Sequence, residues 1–77
     1  MNEKILIVDD DDATCELIKL QLEMSGFEPV CAYNGREALT TAKEQKPSLM
    51  ILDVMLPEMD GLEVLREIRR FANTPVI

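Results

Sequence analysis

Aspartates follow two aliphatic segments of the sequence. Asp9 and Asp10 come directly after residues 5–8, and Asp53 comes directly after residues 49–52. In an open parallel sheet, ligands bind beyond the carboxyl ends of the strands, so the three carboxylates are expected to meet if these two strands are neighbours. Their mutual repulsion is relieved by a hard divalent cation, and ligation by oxygen alone suits Mg²⁺. A carboxylate beside such a cation is also a competent nucleophile toward a phosphoryl group.

The remaining aspartates near these segments fit structural roles better. Asp11 or Asp12 is placed to cap a helix that follows the first aliphatic segment, because an acidic group is favoured at the positive end of a helix. Asp60 and Glu63 have the spacing of a capping box. We therefore predict that these side chains stabilise helix ends and do not form part of the carboxylate site.

The segments that must position the aspartates alternate between strand and helix patterns. Residues 5–8 and 49–52 are continuously apolar, which is typical of strands covered on both faces. Residues 27–33 are a weaker strand, and Pro29 places it at a sheet edge. Val76 and Ile77 begin a fourth strand.

Three amphipathic helices are predicted between the strands. The first ends at Ser25-Gly26, the second covers about residues 35–46 with Asn34 and Glu37 as a capping box, and the third begins near Gly61. The predicted apolar positions of the first and third helices are Leu17, Ile18, Leu22, Met24, Leu62, Val64, Leu65, Ile68 and Phe71. The β-α-β-α-β-α-β order predicts an α/β fold with a parallel, doubly wound sheet and helices on both faces.

Composition excludes several classes of function. The chain has 77 residues, which allow one domain, and its formal net charge of −7 disfavours nucleic acid and anionic membranes as partners. The absence of histidine excludes histidine-based catalysis and histidine metal ligands. No apolar run is long enough for a membrane span or resembles a signal peptide, so a cytoplasmic protein is expected. Cys15 and Cys31 lack the spacing of a zinc or thioredoxin motif and are interpreted as packing residues.

Two motifs resemble those of a known protein family, both in their order along the chain and in their spacing. The segment ILIVDD at residues 5–10, followed by LDVMLPEMDG at residues 52–61, resembles the receiver domain of two-component response regulators. The segment NGREAL at residues 34–39 fits the same pattern, and the resemblance covers residues 1–77 as the N-terminal part of a single receiver domain. It implies a three-layer, flavodoxin-like fold with sheet order 2-1-3-4-5, the order that flavodoxin and the receiver protein CheY exemplify.

The resemblance also implies roles for individual residues. Asp53 corresponds to the phosphoacceptor, which takes a phosphoryl group from a histidine kinase. Asp9 and Asp10 correspond to the acidic pair that holds Mg²⁺, and the Met55 carbonyl oxygen and Asp53 complete the protein ligands. The resemblance therefore implies a signalling phosphoprotein and not an enzyme, with self-catalysed phosphoryl transfer at most. Pro57 and Gly61 correspond to residues that shape the intervening loop.

The length of the chain modifies these expectations. Receiver domains carry a Ser or Thr hydroxyl after the fourth strand and a Lys after the fifth, whereas this sequence stops at Ile77, and Thr74 precedes the fourth strand. We therefore expect a truncated, incomplete receiver with impaired phosphoryl transfer. An incomplete sheet exposes apolar surface, so an alternative is a structural fragment that self-associates as a homo-oligomer or by domain swapping.

A second alternative comes from the acidic segment itself. Asp10 and Asp12, followed by Thr14, fit a D-x-D-x-T pattern that resembles haloacid-dehalogenase-type phosphohydrolases, which also use Mg²⁺. There, Asp10 would be the nucleophile and Asp12 the general acid. The pattern accounts for neither Asp53 nor the loop up to Gly61, and the receiver interpretation is therefore preferred.

Overall fold

A parallel sheet forms the centre of the computed structural model, which describes residues 3–52 and 61–77. Its strands are β1 (Lys4–Val8), β2 (Glu28–Ala32) and β3 (Leu49–Leu52), in the order β2-β1-β3. The prediction that residues 27–33 form an edge strand is confirmed for the described part of the sheet. Pro29 lacks an N–H group and is tolerated at such an edge because no further strand needs that donor.

The register brings the carboxyl ends of the strands together. Val8 is paired with Ala32 on one side and with Leu52 on the other. A fourth strand begins beside β3, where Val76 bridges Met50 and the Leu52 N–H group donates a 3.0 Å hydrogen bond to the Ile77 carbonyl oxygen. The expected order of a receiver sheet, with the fourth strand next to the third, is therefore confirmed.

Three helices connect these strands: α1 (Asp12–Met24), α2 (Gly35–Gln45) and α3 (Gly61–Arg69). The predicted ends of α1 and α2 are confirmed within one residue. Gly26 follows α1 with a φ of 91°, a left-handed conformation that glycine adopts without steric cost. Lys46 ends α2 in the same region, with a φ of 49°.

The predicted capping box of α2 differs from the ideal arrangement in one bond. The Glu37 N–H group donates to the Asn34 side-chain oxygen at 2.9 Å, as expected. The Glu37 carboxylate accepts a hydrogen bond from the Tyr33 N–H group, at 2.9 Å, and not from Asn34 itself. Glu37 therefore also orients Tyr33, the residue that precedes the N-cap.

Helices cover both faces of the sheet, as predicted. One face carries a core cluster in which Leu6, Val8 and Met50 pack with residues of α2 and α3, namely Ala38, Ala42, Val64 and Ile68. Because side chains alternate along a strand, Ile5 and Ile7 point to the other face, where they are buried. Helix α1 packs on that face and buries Cys15.

The predicted apolar positions of two helices are partly wrong. Leu17 and Met24 of α1 are 59% and 79% exposed, and Leu62 of α3 is 62% exposed. These helices carry apolar residues on more than one side, so the sequence pattern left the inward direction ambiguous. Within the described ranges, no helix is long and apolar enough to cross a membrane.

Candidate functional site

The loop after β1 holds the first acidic residue of the predicted site in a defined position. The Asp9 N–H group donates to the Ala32 carbonyl oxygen at 3.1 Å, which extends the pairing of β1 with β2 by one bond. The Asp9 carboxylate in turn accepts a 2.9 Å hydrogen bond from the Asp11 N–H group. Asp9 is half-buried and Asp10 is exposed. The loop therefore orients Asp9 and leaves the neighbouring Asp10 side chain open to solvent.

The next two aspartates belong to the start of α1, as predicted. Asp11 is the N-cap, and its carboxylate accepts hydrogen bonds from the Ala13 N–H group at 3.3 Å and the Thr14 hydroxyl at 2.6 Å. Asp12 is the first residue of the helix, where its charge is favourable at the positive end of the helix dipole. Both side chains therefore have a structural explanation.

Only part of the predicted carboxylate cluster lies among the described residues. Asp9 and Asp10 are there, whereas Asp53, Met55, Pro57 and Asp60 lie outside the described ranges, and so do the predictions made for them. Across residues 3–52 and 61–77, no group of three acidic, histidine or cysteine side chains is arranged to hold a metal ion. The described part of the chain thus supplies two of the predicted oxygen ligands and the strand end at Leu52 that precedes Asp53.

A group of side chains beside this loop was not predicted from the sequence. Cys15 is fully buried, and its thiol donates a 3.4 Å hydrogen bond to the Asp9 carbonyl oxygen. Burial, reinforced by the neighbouring Cys31 thiol and the Asp9 and Asp12 carboxylates, raises the pKa of Cys15 to about 12. Both cysteines are free thiols. They come together only because α1 packs on β2, which the spacing of 16 residues did not indicate.

Tyr33 belongs to the same neighbourhood. Desolvation, followed by the effects of the Cys31 thiol and the Asp12 carboxylate, raises the pKa of Tyr33 to about 12. The carboxylate favours the neutral phenol because an anion beside it disfavours the ionised form. Tyr33 therefore stays protonated next to the acidic loop across the neutral pH range.

Comparison with known protein families identifies the fold. Residues 5–77 match the response regulator receiver domain. The chain belongs to this family. A receiver domain is a signalling module, and the parallel sheet with its acidic loop after β1 agrees with that assignment.

A curated relative supports the receiver assignment. The chain is 47% identical over 70 residues to the alkaline phosphatase synthesis transcriptional regulatory protein PhoP of Bacillus subtilis (strain 168). That alignment covers 91% of this chain and 29% of the relative. The 77 residues therefore correspond to less than a third of that regulator.

Solved receiver domains have the same backbone arrangement. The receiver domain of a Francisella response regulator matches with a TM-score of 0.91 and 34% identity, over 97% of this chain and 63% of that one. The BeF3-activated receiver domain of Klebsiella pneumoniae RstA matches with a TM-score of 0.90 and 33% identity, over 95% and 62%. Thermotoga maritima TrrA, solved in complex with Mg(2+)-BeF, matches with a TM-score of 0.84 and 43% identity, over 88% and 59%. This receiver chain thus spans about three fifths of the length of these solved chains.

Proposed function

We propose that this receiver domain accepts a phosphoryl group on Asp53 from the phosphohistidine of a histidine kinase. The observation that carries the proposal is the pairing of Val8 with Leu52. Asp9 and Asp53 are the next residues in the sequence after these two partners. Consecutive Cα atoms are separated by about 3.8 Å. A residue that directly follows each register partner is therefore expected to lie near the same edge of the sheet.

We further propose that Asp9, Asp10, Asp53 and the Met55 carbonyl oxygen hold Mg²⁺. The donor set fits this ion because it consists of oxygen atoms alone, two of them supplied by described carboxylates. The Asp9 carboxylate is oriented by the hydrogen bond that it accepts from the Asp11 N–H group, which supports its assignment as a ligand. A bound cation would neutralise the negative charge on the phosphoryl group during its transfer. TrrA, at 43% identity, was solved in complex with Mg(2+)-BeF, which supports the choice of ion.

The role of Asp53 in this proposal is that of a phosphoacceptor and not of an enzyme with turnover. Its carboxylate attacks the phosphorus atom and the kinase histidine is the leaving group, so any catalysis is limited to this self-modification. The family resemblance implies further contacts to the phosphoryl oxygens from a hydroxyl after the fourth strand and from a lysine after the fifth. The proposed setting is cytoplasmic, without nucleic acid or membrane as a partner of this segment.

Beryllofluoride labelling tests the proposal, because beryllofluoride bound to a carboxylate is a stable analogue of an acyl phosphate. The chain is titrated with beryllofluoride and Mg²⁺, and the fluorine signal of the bound species is followed by NMR. We expect a bound signal that needs Mg²⁺ and is lost in Asp53→Asn. Asp60→Asn is the matched control, since Asp60 is interpreted as a helix cap, and it should keep the signal. A bound signal that persists in Asp53→Asn and disappears in Asp10→Asn would contradict the proposal.

Self-association is a second candidate property, favoured by the apolar groups that the described residues expose. Leu17, Leu20 and Met24 lie along one side of α1 and are more than half exposed. Burying such groups between two copies is favourable. We propose a homo-oligomer, formed by edge pairing or by exchange of elements. Sedimentation at several concentrations tests this, and a folded species that stays monomeric at high concentration contradicts it.

The phosphohydrolase alternative has no support in the described geometry. Its pattern uses Asp12 and Thr14, but Asp12 is the first residue of α1 and the Thr14 hydroxyl is bonded to the Asp11 cap. The helix start explains this segment without a second catalytic site. Membership of the receiver family points to the same conclusion.

A further inference from the structure

Two cysteine side chains meet in the layer between α1 and the sheet. Cys15 lies in the first turn of α1 and is fully buried. Cys31 lies on the edge strand β2, opposite Ile7 in the register, and is partly exposed. The Cys31 thiol donates a 4.0 Å hydrogen bond to the Cys15 carbonyl oxygen, and it is near enough to the Cys15 thiol to contribute to the raised pKa of that group. Each thiol is therefore the neighbour of the other inside the fold.

We propose that Cys15 and Cys31 form a reversible intramolecular disulfide when the protein is exposed to hydrogen peroxide. A disulfide requires a bond of about 2.05 Å between sulfurs whose Cα atoms lie within about 4.4–6.8 Å. The Cys31 sulfur already lies against Cys15, 4.0 Å from its carbonyl oxygen, and the proposal requires the two thiols to rotate to bonding distance. This assignment goes beyond phosphoacceptor function, since neither Asp53 nor Mg²⁺ takes part in it.

The unequal exposure of the thiols sets the order of the two steps. Peroxide reaches the partly exposed Cys31 first: its sulfur attacks one peroxide oxygen, the O–O bond breaks, and water leaves as Cys31 becomes a sulfenic acid. The Cys15 sulfur then attacks the Cys31 sulfur and displaces the hydroxyl group, which leaves as water with the proton of the Cys15 thiol. Both cysteines are oxidised by one electron each, and one peroxide molecule is reduced to two waters.

The disulfide would act on the acidic loop through one hydrogen bond. The Cys15 thiol donates to the Asp9 carbonyl oxygen at 3.4 Å, and oxidation removes that proton. It also ties the first turn of α1, which carries Asp12, to the end of β2. The cross-link therefore joins two elements whose loops border the carboxyl ends of the strands.

The test uses the reduced 77-residue chain at low concentration, treated with hydrogen peroxide and then with a thiol-alkylating reagent. We expect a monomer in which neither thiol reacts with the alkylating reagent and whose mass is lower by two hydrogen atoms. Reduction by dithiothreitol should restore both thiols. Peptide mapping should show a single cross-link between the segments that contain Cys15 and Cys31. An adduct in which Cys31 gains oxygen while Cys15 stays alkylatable would overturn the proposal, and so would a disulfide between two chains.

Single variants provide the matched controls. Cys15→Ala should leave Cys31 without its partner, so that peroxide adds oxygen atoms to Cys31 and no cross-link forms. Cys31→Ser removes the exposed entry point, and Cys15 should then keep its thiol under the same treatment. If Cys15→Ala fails to fold, Cys31→Ser and the mapping of the unmodified sequence still decide the question. Equal loss of the Cys15 thiol with and without Cys31 would contradict the proposed order of steps.

Discussion

Val8 of β1 and Leu52 of β3 are register partners, so the chain leaves two neighbouring parallel strands at the same edge of the sheet. Each partner is followed in the sequence by an aspartate, Asp9 and Asp53. Carboxylates that converge at one edge repel each other unless a cation balances them. The proposed magnesium site and the proposed phosphoacceptor both depend on this pairing.

The first prediction concerns the acidic pair. Replacing Asp10 with Ala removes a proposed ligand that is exposed at the loop, and we expect Mg²⁺ affinity to fall at least about tenfold, a loss typical of disturbed metal sites. Titration calorimetry measures the change. Asp12→Asn is the control. It also removes a negative charge from the same region, but Asp12 is a residue of the first turn of α1 and is not a proposed ligand. Equal losses in the two variants would show a general charge effect and contradict the assignment of Asp10.

The second prediction concerns the N-cap of α1. Asp11→Ala removes the acceptor of the Ala13 N–H and Thr14 hydroxyl groups, and we expect the free energy of unfolding to fall by about 0.5–2 kcal/mol. Urea denaturation followed by circular dichroism gives this difference. Asp11→Asn keeps a capping oxygen and should lie close to the unmodified chain. A loss in Asp11→Asn as large as in Asp11→Ala would assign the effect to charge instead of capping.

The third prediction compares two positions of α3. Ile68 is fully buried in the core cluster, and Ile68→Ala is expected to lower the free energy of unfolding by about 2–5 kcal/mol because it leaves a cavity. Leu62 is 62% exposed, so Leu62→Ala should have a much smaller effect. The same denaturation experiment ranks the two variants. The opposite ranking would contradict the observed packing of α3.

The fourth prediction uses the only tyrosine of the chain, in a sequence without tryptophan. The ordinary tyrosine pKa is 10.0, and partial burial with the nearby Cys31 and Asp12 groups raises the pKa of Tyr33 to about 12. Tyrosinate absorbance should therefore increase only at higher pH than in the unfolded chain. Asp12→Asn should move the titration to lower pH, since it removes one anion. A native titration at the ordinary value would contradict the placement of Tyr33.

The same shift has a consequence for stability. The folded state binds the phenolic proton more tightly than the unfolded state, so this contribution is fully present below pH 10 and is lost as the pH rises toward about 12. Stability measured across that window should therefore decrease with pH. Tyr33→Phe removes the titrating group and should reduce this dependence.

The sequence predicted the strands and the ends of α1 and α2 because each had a local signal, whereas the order of the strands was implied by the family resemblance. The aliphatic runs before Asp9 and Asp53 indicated buried strands, and Asn34 with Glu37 indicated where α2 begins. The inward side of α1 was less predictable, because Leu17 and Met24 have the same apolar character as the inward-facing residues but point to solvent. Burial depends on which helix face meets the sheet, and that is decided by tertiary packing.

Contacts between distant segments were the part that the sequence could not predict. Cys15 and Cys31 form no motif, and their contact arises from the docking of α1 on β2. One local contact was also not predicted: the Tyr33 N–H group bonds to Glu37 because of the path by which the chain enters α2. The roles of Asp53 and Met55, which lie outside the described residues, stay predictions supported by family membership and by the strand register.

The most direct test of the central proposal is the site of phosphoryl transfer. The chain is incubated with a phosphorylated histidine kinase and Mg²⁺, and the modified residue is located by tandem mass spectrometry. We predict an acyl phosphate on Asp53 that is absent in Asp53→Asn and strongly reduced when Mg²⁺ is chelated. Phosphorylation of equal yield in Asp53→Asn, or located on Asp10, would contradict the proposal.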